Sequence, residues 1–181
     1  MPEHAGRGRI LLDIAREAIA TPAEPMARAW SEPWLEERAA TFVTLRDSIG
    51  DLRGCIGTLD PHRALGLDVA HNAFAAAYRD PRFPPLRDWE LATTAVEVSV
   101  LTPRVPFAAA TEAEAIDRLE PHIDGLVFEY HGHRSTFLPQ VWENISDPLD
   151  FLCELRRKAG LPARFWHPDV KLSRYGVEKH R

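Results

Sequence analysis

Ala40-Thr41-Phe42-Val43-Thr44-Leu45-Arg46-Asp47-Ser48-Ile49-Gly50-Asp51-Leu52-Arg53-Gly54-Cys55-Ile56-Gly57-Thr58-Leu59 is the stretch that decides the fold. β-branched and aromatic residues fill the middle of 40–46, Asp, Ser and Gly crowd 47–51, and a second strand-like run follows at 52–59. The pattern predicts a β-hairpin. Upstream, Leu11, Ile14, Ala15, Ala18 and Ile19 recur at the spacing of one helical face. Thr21-Pro22 closes that helix, because the residue before proline disfavours the helical region. Residues 22–38 read as a connection packed down by Trp30 and Trp34. Downstream, Asp60-Pro61 predicts an N-cap with proline in the first helical turn. Leu65, Val69, Ala73, Ala76 and Ala77 mark the buried face of that helix, which ends near Arg79. Asp80-Pro81-Arg82-Phe83-Pro84-Pro85 reads as a loop, since its three prolines remove three backbone donors.

Thr94 to Leu101 alternates as a strand and closes the first half, whose element order the second half roughly repeats. Thr111-Glu112-Ala113-Glu114 has the capping-box pattern ahead of a helix. Segments 126–131 and 134–138 flank His131-Gly132-His133 as a second hairpin. Asp147-Pro148 starts a helix running to Ala159, with Gly160 as the glycine beyond its end, and Val170 to Val177 forms a last strand. Strands that arrive in hairpins rather than in βαβ alternation predict an α+β fold.

The 181 residues suit one domain, or two small lobes sharing a core. The net charge of −5, with no basic stripe, opposes a general nucleic-acid binder. Two cysteines make no disulfide scaffold, which predicts a reducing, cytoplasmic setting. No apolar run approaches the roughly 18–20 residues of a membrane span, and the polar start of the chain shows no signal peptide. The 15 prolines sit singly or in pairs, punctuating many short elements.

The densest chemical signal is 52–58. Arg53 and Cys55 share one face of a strand. A guanidinium near a thiol favours the thiolate, so Cys55 is the candidate catalytic residue: a nucleophile, a redox thiol or a soft metal ligand. The competing interpretation is a small packed hydrophobe, which fits Cys153 on its amphipathic helix. Gly54 and Gly57 read as leaving room around the cysteine. Arg79, Asp80 and Arg82 on the proline-stiffened loop suit carboxylate or phosphate recognition; a helix C-terminus with an internal ion pair is the alternative. Glu97 opposes a valine face and points to water or into a cleft. Thr136 and Gln140 flank a strand-to-helix corner whose backbone N–H groups suit an anion. His131 and His133 read as a solvated turn. No zinc, nucleotide-binding or hydrolase motif is present, so no metal site is predicted and no cofactor is named.

Leu52-Arg53-Gly54-Cys55-Ile56-Gly57 resembles the signature of the AMMECR family, called protein A of the AmmeMemoRadiSam system in prokaryotes. Further blocks support the resemblance in order: Phe42-Val43-Thr44-Leu45, Arg79-Asp80-Pro81-Arg82-Phe83-Pro84-Pro85-Leu86, Glu97-Val98-Ser99-Val100-Leu101, Ile123-Asp124-Gly125-Leu126, Thr136-Phe137-Leu138-Pro139-Gln140-Val141-Trp142 and Pro168-Asp169-Val170-Lys171-Leu172. Two of these blocks look more like the bacterial branch than the eukaryotic one. Ser173 departs from the bulky residue expected there. The resemblance spans about residues 10–178, as a single AMMECR-type domain. It implies two related β/α halves around a mixed, barrel-like sheet, and the company of a Memo-like protein and a radical-SAM protein. It implies no established reaction. Together with the residues it leads us to expect a ligand- or partner-binding protein with a pocket around Cys55. That pocket would take a small anionic ligand on Arg53, Arg79, Asp80, Arg82, Glu97, Thr136 and Gln140. A thiol-dependent enzyme using Cys55 is the alternative.

Overall fold

The computed structural model describes residues 2–181, with side-chain surroundings from residue 6 onward. The chain divides into two units: the segment up to Leu101 joined by Glu178–Arg181, and Thr102–Val177.

In the first unit, helix α1 (Pro2–Ala20) leads through the connection to strands β1 (Thr41–Arg46) and β2 (Leu52–Gly57). Asp47 shapes the turn between them. Its Oδ1 accepts the N–H groups of Ile49 and Asp51 at 3.0 and 2.9 Å, and Gly50 takes φ +92°. Helix α2 (Leu65–Tyr78), the short helix α3 (Asp88–Leu91) and strand β3 (Ala95–Leu101) follow. The alternation of 41–46 sends Val43 and Leu45, both fully buried, into one core with Leu11, Ile14 and Ala15 of α1 and Val69, Ala73 and Ala76 of α2. Trp30 and Trp34 pack partly buried against the same core. A polar tie joins helix to hairpin: the buried Asp68 Oδ2 accepts from Thr41 N and Oγ1, Thr58 Oγ1 and Asn72 Nδ2 at 2.7–3.0 Å.

Helix α2 begins at Leu65, not at Asp60-Pro61. Ala64 bridges Arg38, and Leu65 N donates to Glu37 O at 2.8 Å. The segment before the helix is thus drawn into strand-like pairing that its local cap signal could not outweigh.

The second unit holds strand β4 (Val105–Pro106), helix α4 (Glu112–Arg118), strands β5 (Gly125–Tyr130) and β6 (His133–Phe137), a 3₁₀ turn (Pro139–Glu143), helix α5 (Pro148–Lys158) and strand β7 (Lys171–Tyr175). The second hairpin turns at His131 and Gly132, both at positive φ (41° and 87°), as a two-residue turn requires. The α5 cap is as the sequence predicts: Asp147 Oδ1 accepts from Leu149 N and Asp150 N. Trp142 and Phe151 stack at 3.8 Å in a second core with Phe128, Leu152 and Leu155.

The fold is α+β with two β/α halves, but the halves do not share one barrel-like sheet. Each has its own four-stranded sheet, ordered β2-β1-β3-β8, where β8 is Val177–His180, and β4-β7-β5-β6. The pairings described between β1 and β2, β1 and β3, β4 and β7, and β5 and its two neighbours are all antiparallel. Hairpins supply antiparallel neighbours, and each sheet buries a face under helices of its own half, so each half closes its own core. The expected last strand is two: Gly176 separates β7 from β8 (Val177–His180), and β8 adds to β3 in the first sheet.

Candidate functional site

β1 lies between β2 and β3, and its register sets Thr44 opposite Cys55 on one side and Glu97 on the other. Cys55, Thr44 and Glu97 thus form a row across the sheet, on the face opposite Val43 and Leu45. The Cys55 thiol is half-buried, and its sulfur lies 3.4 Å from Thr44 Oγ1. Glu97 is buried rather than open to water and is ion-paired with Arg181.

Arg53 stands two residues before Cys55, at the point where the β1–β2 register shifts: Leu45 pairs Gly54 and Arg46 pairs Leu52, leaving Arg53 as the extra residue. Its Nε and Nη2 donate to the two carboxylate oxygens of Glu90 at 2.7 and 3.1 Å. That bidentate pair is largely buried, with side chains 11% and 15% exposed, and the guanidinium pulls the Glu90 carboxyl below its ordinary pKa. The third nitrogen, Arg53 Nη1, is buried and has no hydrogen-bond partner among the described residues. A buried donor left unpaired costs about 1–3 kcal/mol, so such a group calls for a ligand or a water.

The loop after α2 reaches Cys55 through its backbone. β2 is an edge strand, and a strand edge presents unpaired N–H and C=O groups. Asp80 Oδ2 accepts the Cys55 N–H at 2.9 Å, and Arg82 Nη2 donates to the Cys55 carbonyl at 3.1 Å. Asp80 also accepts from Arg82 N, Nε and Nη2 at 3.1, 2.9 and 2.7 Å. The Arg82 guanidinium, burial notwithstanding, holds the Asp80 carboxyl well below the usual carboxylate range, and Asp80 raises Arg82 in return. The ion pair therefore stands in for one residue of an absent neighbouring strand and fixes the cysteine's position.

Arg79 turns elsewhere. It is exposed, ion-paired with Glu24 at 2.8 Å and set over the Phe74 ring. The two glycines do not make room for the thiol. A Cβ on Gly54 would lie 2.1 Å from the Ala76 carbonyl oxygen of α2, and one on Gly57 would lie 2.2 Å from the Phe42 ring. Both positions are already filled by packing.

Thr136 and Gln140 belong to the second unit. Thr136 is buried, with Oγ1 donating to Leu126 O at 2.8 Å and sharing a 2.8 Å bond with the Tyr175 hydroxyl. Gln140 is half-exposed on the 3₁₀ turn, where Val141 N already bonds Leu138 O at 3.0 Å. Such a short turn leaves no helix N-terminus for an anion. His131 Nε2 meets Asp169 Oδ2 at 3.1 Å, and Cys153 is buried on α5. Among the described residues, no three His, Cys, Asp or Glu side chains converge to hold a metal ion. No helix among them is long and apolar enough to cross a membrane.

Thr44 and Glu90 are the residues that the linear pattern missed. Thr44 is legible once the hairpin register is counted across the turn. Glu90 lies 37 positions from Arg53, and no local spacing connects them.

Comparison with known proteins agrees with this architecture. The AMMECR1 family model matches residues 12–180. A protein of Methanothermobacter thermautotrophicus is 37% identical, covering 98% of this chain and 95% of its own length. One of Thermofilum pendens is 37% identical, covering 96% and 89%. The crystal structure of an uncharacterized protein from Pyrococcus horikoshii superposes with a TM-score of 0.81 at 34% identity, over 95% of this chain and 89% of that one. With the signature residues on β2 and nearly the whole length matched, the chain belongs to the AMMECR1 family.

Proposed function

We propose that the protein is a binding module. Its site is the Cys55 face of the first sheet, and it docks a Memo-like protein and a radical-SAM protein by accepting an anionic or carbonyl-bearing group of one of them. The single observation that carries this is the buried Nη1 of Arg53, unpartnered among the described residues and two positions from Cys55 on β2. Glu90 anchors the other two nitrogens, so the donor is held in place before anything binds, which lowers the entropic cost of recognition. The hydrogen-bond partner of the thiol is a hydroxyl, Thr44, and not an imidazole or carboxylate that would serve as a base, which favours binding over catalysis.

The test is co-purification of tagged protein with the Memo-like and radical-SAM proteins of the same organism, with iodoacetamide labelling of Cys55 as a footprint. The expected result is capture of at least one partner, protection of Cys55 in the complex, and loss of capture in Arg53→Ala with the fold retained by circular dichroism. No capture together with an unprotected Cys55 refutes the proposal. The thiol-dependent alternative requires Cys55 in the free, folded protein to label faster than the same thiol in the unfolded chain.

A further inference from the structure

We propose that the first unit carries a second site, built from cations other than those around Cys55: a basic cleft between α1 and β8 that binds a small ligand with two or more phosphate-type groups. The cleft encloses about 510 Å³, within the range of roughly 300–1,000 Å³ common for small-molecule sites. Arg9 and Arg16 line it from α1, seven positions apart and so on one face of the helix. Lys179 lines it from β8. All three are exposed, and none has an ion-pair partner among the described residues. Asp13 is the acidic residue in the lining. Arg181 also lines the cleft but is engaged by Glu97 of the Cys55 row, so it is not counted. A protein of net charge −5 thus gathers three uncommitted cations from two elements around one cavity.

Gly8 leaves room for the ring of His180 on β8: a Cβ there would sit 2.7 Å from His180 Nδ1, so the imidazole packs directly on the helix backbone beside Arg9. The chemistry sets the ligand class. One carboxylate occupies one guanidinium fork, whereas cations on both walls of a cavity suit a molecule with several oxyanion groups. A cavity of about 510 Å³ with cations on two walls, in a chain of net charge −5, fits a small polyanion and not a nucleic-acid backbone.

Isothermal titration calorimetry of the full chain with sodium tripolyphosphate tests the proposal. The expected result is saturable one-to-one binding that weakens as ionic strength rises. It should be about tenfold weaker in Arg9→Ala/Arg16→Ala, whose exposed side chains can be removed without unfolding the unit, and weaker also in Lys179→Ala. Cys55→Ser should bind as the wild type does, which keeps failure of this site distinguishable from failure of the Cys55 proposal. Absence of saturable uptake overturns the inference. So does undiminished binding by the double arginine variant, or affinity confined to single-stranded DNA that grows with its length.

Discussion

Replacing Asp80 by Asn tests the edge clamp directly. The carboxylate accepts four hydrogen bonds: three from Arg82 and one from the Cys55 backbone. An asparagine in the same place keeps one acceptor oxygen and turns an N–H₂ group toward donors it cannot satisfy. Each charge-assisted bond contributes about 1.5–3 kcal/mol, but the Arg82 side chain is 53% exposed and regains water when released. Counting about one such bond with the donor–donor conflict at Cys55 N, the expected cost is roughly 2–3 kcal/mol. It is read from urea unfolding at neutral pH. The pH dependence is a second check. Arg82 depresses the folded-state pKa of Asp80, so the stabilisation is complete above the unfolded value of about 3.9 and is lost as pH falls below it. The gap between wild type and Asp80→Asn should therefore narrow below about pH 4. A cost under about 0.5 kcal/mol at neutral pH, or a gap unchanged into acid, would refute the reasoning.

Gly54→Ala should lower stability by about 3 kcal/mol, because the new methyl meets the Ala76 carbonyl oxygen and the whole of α2 must give way; an unchanged melting temperature would show that the helix yields freely. Burial pushes the Tyr175 phenol up to about 12, against its hydrogen bond with Thr136, which opposes the shift. Its neutral form is the one the fold favours, so that stabilisation holds below the unfolded value of about 10 and is lost as pH rises towards 12. Wild type should lose stability between about pH 10 and 12 relative to Tyr175→Phe; parallel alkaline profiles of the two would contradict it.

Much of the architecture was legible from local pattern. Asp47 and Gly50 announce the first turn, His131 and Gly132 the second, and Asp147-Pro148 the start of α5, because caps and tight turns depend on residues within a few positions of one another. The start of α2 was not legible, since residues 37 and 38 hold the backbone at 64 and 65 by pairs that no local signal carries. The division of the last strand at Gly176 was missed for a similar reason: which sheet β8 joins depends on the open edge of β3.

At the site, the order of residues alone put Arg53 and Cys55 on one strand, whereas the register shift at Arg53, which alternation does not foresee, belongs to the pairing with β1. It also singled out the loop at 79–85 as stiff and charged. Only the tertiary structure decided what those charges do. Asp80 and Arg82 close the open edge of β2 at Cys55, Arg79 turns to Glu24, Glu90 holds Arg53, and Arg181 reaches Glu97. Each of these, Asp80 with Arg82 apart, joins residues far apart in sequence. Ion pairs and edge contacts act over a few ångströms of space, and the distance in space between two such residues is set by how sheet and helices pack, not by their separation along the chain.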